Sequence, residues 1–156
     1  TSDGVEIHLY GNIEFSHEIE QVIQKGGEGV GLYRTEFQYL ISSETPTEDQ
    51  LYDEYASAIQ QLDGRKLTIR TLDLGADKYT QSQEMEPERN PFLGLRSIRY
   101  CLQNQELFRT QLRAIVRASA IGPLQVMFPL ITSVNELRQA KLIFSEGGHP
   151  APQIRD

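Results

Sequence analysis

With 156 residues and 38% apolar side chains, the chain is long enough for one ordinary domain that hides about two thirds of its unfolded surface. A net charge of −7 and a pI near 5.0 argue against duplex nucleic acid or a phospholipid surface as partner, since both need a spread-out cationic face, but leave room for a small anion gripped by a few arginines. The single cysteine, Cys101, rules out an intramolecular disulfide; with no apolar run near the roughly 18 residues of a membrane span and no signal-peptide pattern at Thr1 to Val5, the expected compartment is the cytoplasm.

Val5 to Ile13 alternates apolar and polar side chains and predicts a strand, after which Ser16 to Lys25 predicts a short helix stopped by Gly26-Gly27. Gly29 to Phe37 predicts a second strand. Thr47 with Gln50 three residues on has the form of a capping box and predicts a helix to Leu62. Lys66 to Leu74, β-branched and bounded by Gly64 and Gly75, predicts a third strand. The polar stretch that follows, Ala76 to Arg89, is of the length at which connections are often functional. Leu95 to Gln103 and Glu106 to Ala120 predict helices, the second with Leu107, Phe108, Leu112, Ile115 and Val116 at helical spacing. Leu124 to Ile131 predicts the fourth strand, leading into a helix capped at Ser133 with Glu136 three residues on. Residues 1–146 therefore form the ordered unit, and the Gly/Pro-rich tail 147–156 reads as a linker or frayed end.

Strict βα alternation makes the fold α/β, with a parallel sheet either doubly wound or closed as a barrel. Eight such units take about 250 residues, so four are half of a (β/α)8 barrel. The chain also starts without a methionine, and is expected to be a piece of something longer. Ligands of parallel βα proteins bind at the carboxyl ends of the strands. Arg34 closes the second predicted strand and Arg70 the third, about 5 Å apart across the sheet. Two guanidinium forks facing one pocket suit a small polyanion bearing carboxylate and phosphate groups. Glu36 and Asp73 are equally available as salt-bridge partners, and on spacing alone that ion-paired reading stands beside the anion site.

Lys78 in the long loop, with Arg96 and Arg99 beyond it, adds positive charge near the same end, whereas Arg109, Arg113 and Arg117 recur every four residues and read as a hydrated helix face. Gly29-x-Gly31 fails as a dinucleotide fingerprint, because Arg34 occupies the third glycine position. There is no phosphate-binding loop ending in Gly-Lys-Ser/Thr and no zinc spacing. His8, His17 and His149 are scattered, and Cys101 sits among helical apolar residues as a packed thiol.

Four ordered segments, GLYRTEF from Gly31, RTLDLGADK from Arg70, NPFLGLR from Asn90 and MFPLI from Met127, resemble the opening motifs of the phosphoenolpyruvate-binding barrel of the phosphoenolpyruvate-protein phosphotransferases, enzyme I of the sugar phosphotransferase system. The resemblance implies the first half of a (β/α)8 barrel in which Arg34 and Arg70 contact the substrate phosphate and Arg96 lies in the same site, with Asp73, Lys78 and Asn90 lining it. It also implies phosphoryl transfer from phosphoenolpyruvate to a protein histidine and on to a histidine-containing carrier protein, in a full-length homodimer. Magnesium is implied with its ligands outside this segment, as are the catalytic histidine and cysteine; Cys101 does not match the latter, and the tail after Phe144 departs from the pattern. Alternatives are a pyruvate phosphate dikinase or phosphoenolpyruvate synthase type of enzyme, whose barrels share the arginine strands, and a non-catalytic anion-binding or interaction module.

Overall fold

A computed structural model describes residues 2–41, 44–75 and 94–146; the polar stretch from 76 to 89 and the tail from 147 to 156 lie outside them. Four strands, β1 (Gly11–Ile13), β2 (Gly29–Arg34), β3 (Lys66–Arg70) and β4 (Leu124–Met127), pair in chain order, every pair parallel. A 3₁₀ turn (Ser16–Glu18) and α1 (Ile19–Gln24) follow β1, and α2 (Glu36–Leu40) and α3 (Glu48–Leu62) follow β2. Between β3 and β4 stand α4 (Ile98–Gln103) and α5 (Gln105–Ala118), and α6 (Val134–Glu146) follows β4. This order of parallel strands and helices is a partial α/β barrel.

Consecutive strand side chains point to opposite faces, and in β3 that places Leu67 and Ile69 in the core while Lys66, Thr68 and Arg70 are only half-buried on the other side. The register extends each face across the sheet. Val30, Leu67 and Leu124 form one apolar row, and Tyr33, Ile69 and Val126 the next. Against these rows pack Leu51, Tyr55, Ile59 and Leu62 of α3 and Phe108, Leu112 and Ile115 of α5, all in one core. Arg34, Arg70 and Met127 form a row on the opposite face, which corresponds to the interior of a closed barrel. At Gly29 a Cβ would lie 2.5 Å from the Lys66 carbonyl oxygen, so glycine is what lets β2 approach β3 there.

Each strand is shorter than its hydropathy pattern. Of Val5 to Ile13 only Gly11–Ile13 pairs, and Val5, Ile7 and Leu9 are 57%, 60% and 65% exposed. Alternation marks a face that a partner would cover, but a strand also needs a ladder, and β2 begins only at Gly29. β2 stops at Arg34 because the chain turns into α2, and β3 stops at Arg70, leaving Thr71 to Leu74 outside the strand although the Thr71 N–H still donates to the Met127 carbonyl at 3.0 Å. β4 ends at Met127, two residues before Pro129. The predicted helix from Leu95 starts later, at Ile98, because Ser97 takes φ 58° and cannot continue a helix. The helix predicted over Ser16 to Lys25 divides into the 3₁₀ turn and α1.

The two capping signals hold. Thr47 Oγ1 accepts from the Gln50 N–H at 3.3 Å and Gln50 Oε1 accepts from the Thr47 N–H at 2.8 Å, while Ser133 and Glu136 form the same reciprocal pair at 3.2 and 3.1 Å. The arginine column of α5 is partly exposed, and its members are ion-paired. Arg113 and Arg117 both pair with Glu48, and Arg117 with Asp49, at 2.7 to 2.8 Å, tying α5 to the first turn of α3, while Arg109 pairs with Glu146 of α6 at 2.7 Å. Among the described residues, no helix is long and apolar enough to cross a membrane.

Candidate functional site

Arg34 and Arg70 are direct register partners at the carboxyl ends of β2 and β3, so their side chains leave the same face of the sheet. Each is held by carboxylates. Arg34 Nη2 lies 2.7 Å from Glu14, just past β1, and Arg70 lies 2.8 Å from Glu36 and 3.3 Å from Asp73. Arg96 reaches the same group from across the long connection. The chain returns through a bridge between Gly75 and Arg96, and the Ser97 N–H donates to the Leu74 carbonyl, which sets Arg96 Nε 3.0 Å from the Asp73 carboxylate. Ser97 itself is fully buried, and its hydroxyl donates to the Pro129 carbonyl at 3.1 Å, anchoring this return against the end of β4.

The cluster therefore joins three arginines to three carboxylates over the ends of β1, β2 and β3. Glu36 is buried, 8% exposed, and accepts from Arg70 Nη2 and from the Asp73 N–H at 3.1 Å. Burial pushes its carboxyl above the usual range, against the pull of Arg70. The Nε–H groups of Arg34 and Arg70 are buried and have no acceptor among the described residues. A guanidinium carries five donors, so both arginines keep unspent capacity toward an oxyanion. Glu14 also lines a neighbouring cavity of about 290 Å³ with Tyr33, Gln38 and Glu54. Its two carboxylates make that cavity the wrong place for an anion.

Arg34, Arg70, Asp73 and Arg96 are thus brought together, whereas Lys78 and Asn90 lie outside the described residues. The ion-paired reading holds for Arg70, since Glu36 and Asp73 do pair with it. Arg99, in α4, acts on Glu136: with the Thr132 N–H as the larger influence, its charge helps hold the Glu136 carboxyl below the usual range. His8 pairs with Glu28 at 2.7 Å and His17 stacks on Phe15, while His149 lies outside the described residues. Cys101 is buried, its thiol 3.7 Å from the Leu72 carbonyl, and burial pushes its pKa up to about 12, as suits a packed thiol.

Two participants escape a reading by spacing. Glu14 sits just beyond β1, and nothing local links it to Arg34. Gln111 is fully buried in α5, where Phe108, Leu112 and Ile115 give the apolar stripe that identifies the helix. Its signal was available: an amide at the i+3 position of an otherwise apolar face is an interruption that needs partners. The partners are the Leu72 N–H, the Thr35 hydroxyl and the Tyr55 hydroxyl, at 3.0, 3.0 and 3.2 Å.

Comparison with known proteins places residues 1–149 in a family described as "PEP-utilising enzyme, PEP-binding domain". The chain is 47% identical over 146 residues to a phosphoenolpyruvate-protein phosphotransferase of Bacillus subtilis (strain 168), covering 94% of this chain and 26% of that protein. It is 50% identical over 141 residues to the protein of that name from Listeria monocytogenes, covering 90% of this chain and 25% of the relative, and 44% identical over 146 residues to one from Staphylococcus aureus (strain MSSA476), covering 94% and 26%. The chain spans about a quarter of the length of these relatives.

Proposed function

Because this chain belongs to the PEP-binding domain family of the PEP-utilising enzymes, we propose that it is the part of a phosphoenolpyruvate-protein phosphotransferase that supplies the arginines of the phosphoenolpyruvate site. The observation that carries the reading is the register pairing of Arg34 with Arg70 at the strand ends, with Arg96 brought over Asp73 beside them. Phosphoenolpyruvate offers a phosphate and a carboxylate. The arginine row would bind the phosphate oxygens, spread the charge that accumulates on them as the phosphoryl group leaves, and hold donor and acceptor in line. Glu14, Glu36 and Asp73 orient the guanidinium groups before the anion arrives.

The acceptor histidine, the histidine-containing carrier protein, the proton-donating cysteine, the homodimer, the cytoplasmic setting and the role in sugar transport belong to the same reading and lie beyond this chain. Magnesium belongs to it too, where it would neutralise phosphate charge as a Lewis acid. Among the described residues no group of three or more His, Cys, Asp or Glu is placed to hold a metal ion. Lys78 and Asn90 are proposed as further lining.

In the full-length protein, Arg34→Ala or Arg70→Ala is expected to lower phosphoryl transfer by about 10²-fold or more, read in steady-state kinetics. Near-normal turnover in both variants would refute the assignment. The 156-residue chain by itself is expected to phosphorylate no carrier. One observation favours a non-catalytic interaction module instead: Arg34, Arg70 and Arg96 are each already paired with a carboxylate. Titration with phosphoenolpyruvate, with and without magnesium, separates the two, since an interaction module that merely uses this cluster for ion pairing takes up none.

A further inference from the structure

The backbone ladder between β2 and β3 ends at the Arg34–Arg70 pair, because the next residue of each chain segment leaves the sheet. Beyond that point the two strand ends are joined by side chains. Thr35, directly after Arg34, donates its hydroxyl to the Arg70 carbonyl at 3.0 Å and accepts from Gln111 Nε2 at 3.0 Å. Gln111 Oε1 accepts from the Leu72 N–H at 3.0 Å, two residues after Arg70, and its second amide proton reaches Tyr55 of α3 at 3.2 Å. Thr35 and Gln111 are both fully buried. One amide thus ties the end of β2, the end of β3, α3 and α5 at a single point behind the two arginines.

We propose that Gln111 is a positioning residue that, through Thr35 and Leu72, sets the spacing and direction of Arg34 and Arg70. The proposal rests on the reading of those arginines as the phosphoenolpyruvate grip. Packing alone does not call for an amide. Phe108, Leu112 and Ile115 fill the same face with hydrocarbon, and a buried amide among them is tolerable only because all three of its hydrogen bonds are made. What those bonds add over hydrocarbon is direction. They fix the Thr35 hydroxyl, one residue after Arg34, and the Leu72 N–H, two residues after Arg70, where a shift of about 1 Å in a gripping residue is enough to cost on the order of 10²-fold in rate.

The test uses the full-length protein and phosphoenolpyruvate itself. Gln111→Met keeps the length of the side chain without the amide, Thr35→Val keeps the shape without the hydroxyl, and Thr35→Ser keeps the hydroxyl. Affinity is measured by calorimetric titration at a temperature where circular dichroism shows every variant folded. Gln111→Met and Thr35→Val are each expected to weaken binding about tenfold or more, the double variant no further than the weaker single, and Thr35→Ser to stay near the wild type. A purely structural role would lower the melting temperature of Gln111→Met and leave affinity unchanged, and that result overturns the proposal, as do fully additive losses in the double variant. Should Gln111→Met fail to fold, Thr35→Val against Thr35→Ser decides the matter alone. If the wild type takes up no phosphoenolpyruvate, the proposed function falls and this inference with it; if the wild type binds and the folded variants bind equally well, this inference alone falls.

Discussion

Arg70 serves the fold as well as any anion. Its guanidinium is the charge partner of Glu36, whose side chain is 11% exposed, so Arg70→Ala leaves a buried carboxylate uncompensated and is expected to destabilise the folded state by about 3 kcal/mol. Arg34 and Glu14 are wetter, and Arg34→Ala should cost less than about 1 kcal/mol. Denaturant unfolding of the two variants distinguishes these outcomes; equal losses would show that Glu36 finds another partner. Glu36 also predicts a pH dependence with a definite sign. Its folded pKa is raised above the ordinary 4.5, chiefly by burial, so the folded state holds the proton more tightly than the unfolded chain. The stability this contributes is fully present below the unfolded pKa and is lost as pH rises through the folded value. The stability of the wild type relative to Glu36→Gln should therefore fall as pH rises from about 4, and a rising difference would show that Arg70 outweighs burial.

At the scale of elements, the helices are held at their amino ends by carboxylates of the opposite behaviour. Glu48, at the start of α3, is held below the ordinary 4.5 by hydrogen bonds from Arg113 and Arg117; Glu136, in the first turn of α6, by the Thr132 N–H; and Glu18, ahead of α1, by the Glu14 N–H. Their stabilisation is present above the unfolded pKa and disappears as pH falls through their lowered folded values. Thermal unfolding from neutrality to about pH 3 should show a progressive loss that Glu48→Gln reduces, because the substitution removes one proton-linked group. Thr47→Ala should cost about 1 kcal/mol at neutral pH by removing the cap on the Gln50 N–H. The caps of α3 and α6 were legible in the sequence because a capping box is complete within four residues. Strand limits were not, because a strand ends where its ladder partner ends, and the partner of Val5 to Tyr10 cannot be read from those residues.

At the scale of the whole molecule, the sheet has two outer edges. Among the described residues β1 pairs only with β2 and β4 only with β3, which leaves backbone donors and acceptors of both outer strands facing outward. Gln125 is exposed on the face opposite the helices, and Val5, Ile7 and Leu9 present apolar surface beside β1. The 156-residue chain, prepared alone, is expected to dimerise through these edges or to aggregate. Analytical ultracentrifugation with thermal unfolding checks this: a soluble monomer melting cooperatively above about 65 °C would contradict it.

Period and spacing determine the order of strands and helices along the chain, the two capping boxes, and the placement of Arg34 and Arg70 each at the end of its strand, because each depends on residues within a turn or a strand of one another. The tertiary structure decides the rest of the site. Glu14 reaches Arg34 only once β1 lies beside β2. Arg96 reaches Asp73 only through the bridge at Gly75. Gln111 meets Thr35 across 76 positions of sequence and Leu72 across 39, and no local pattern encodes either distance. An amide in an apolar stripe signals that a partner exists; which atoms it finds is settled when α5 packs behind the sheet and the strand ends run out of backbone to hold them together.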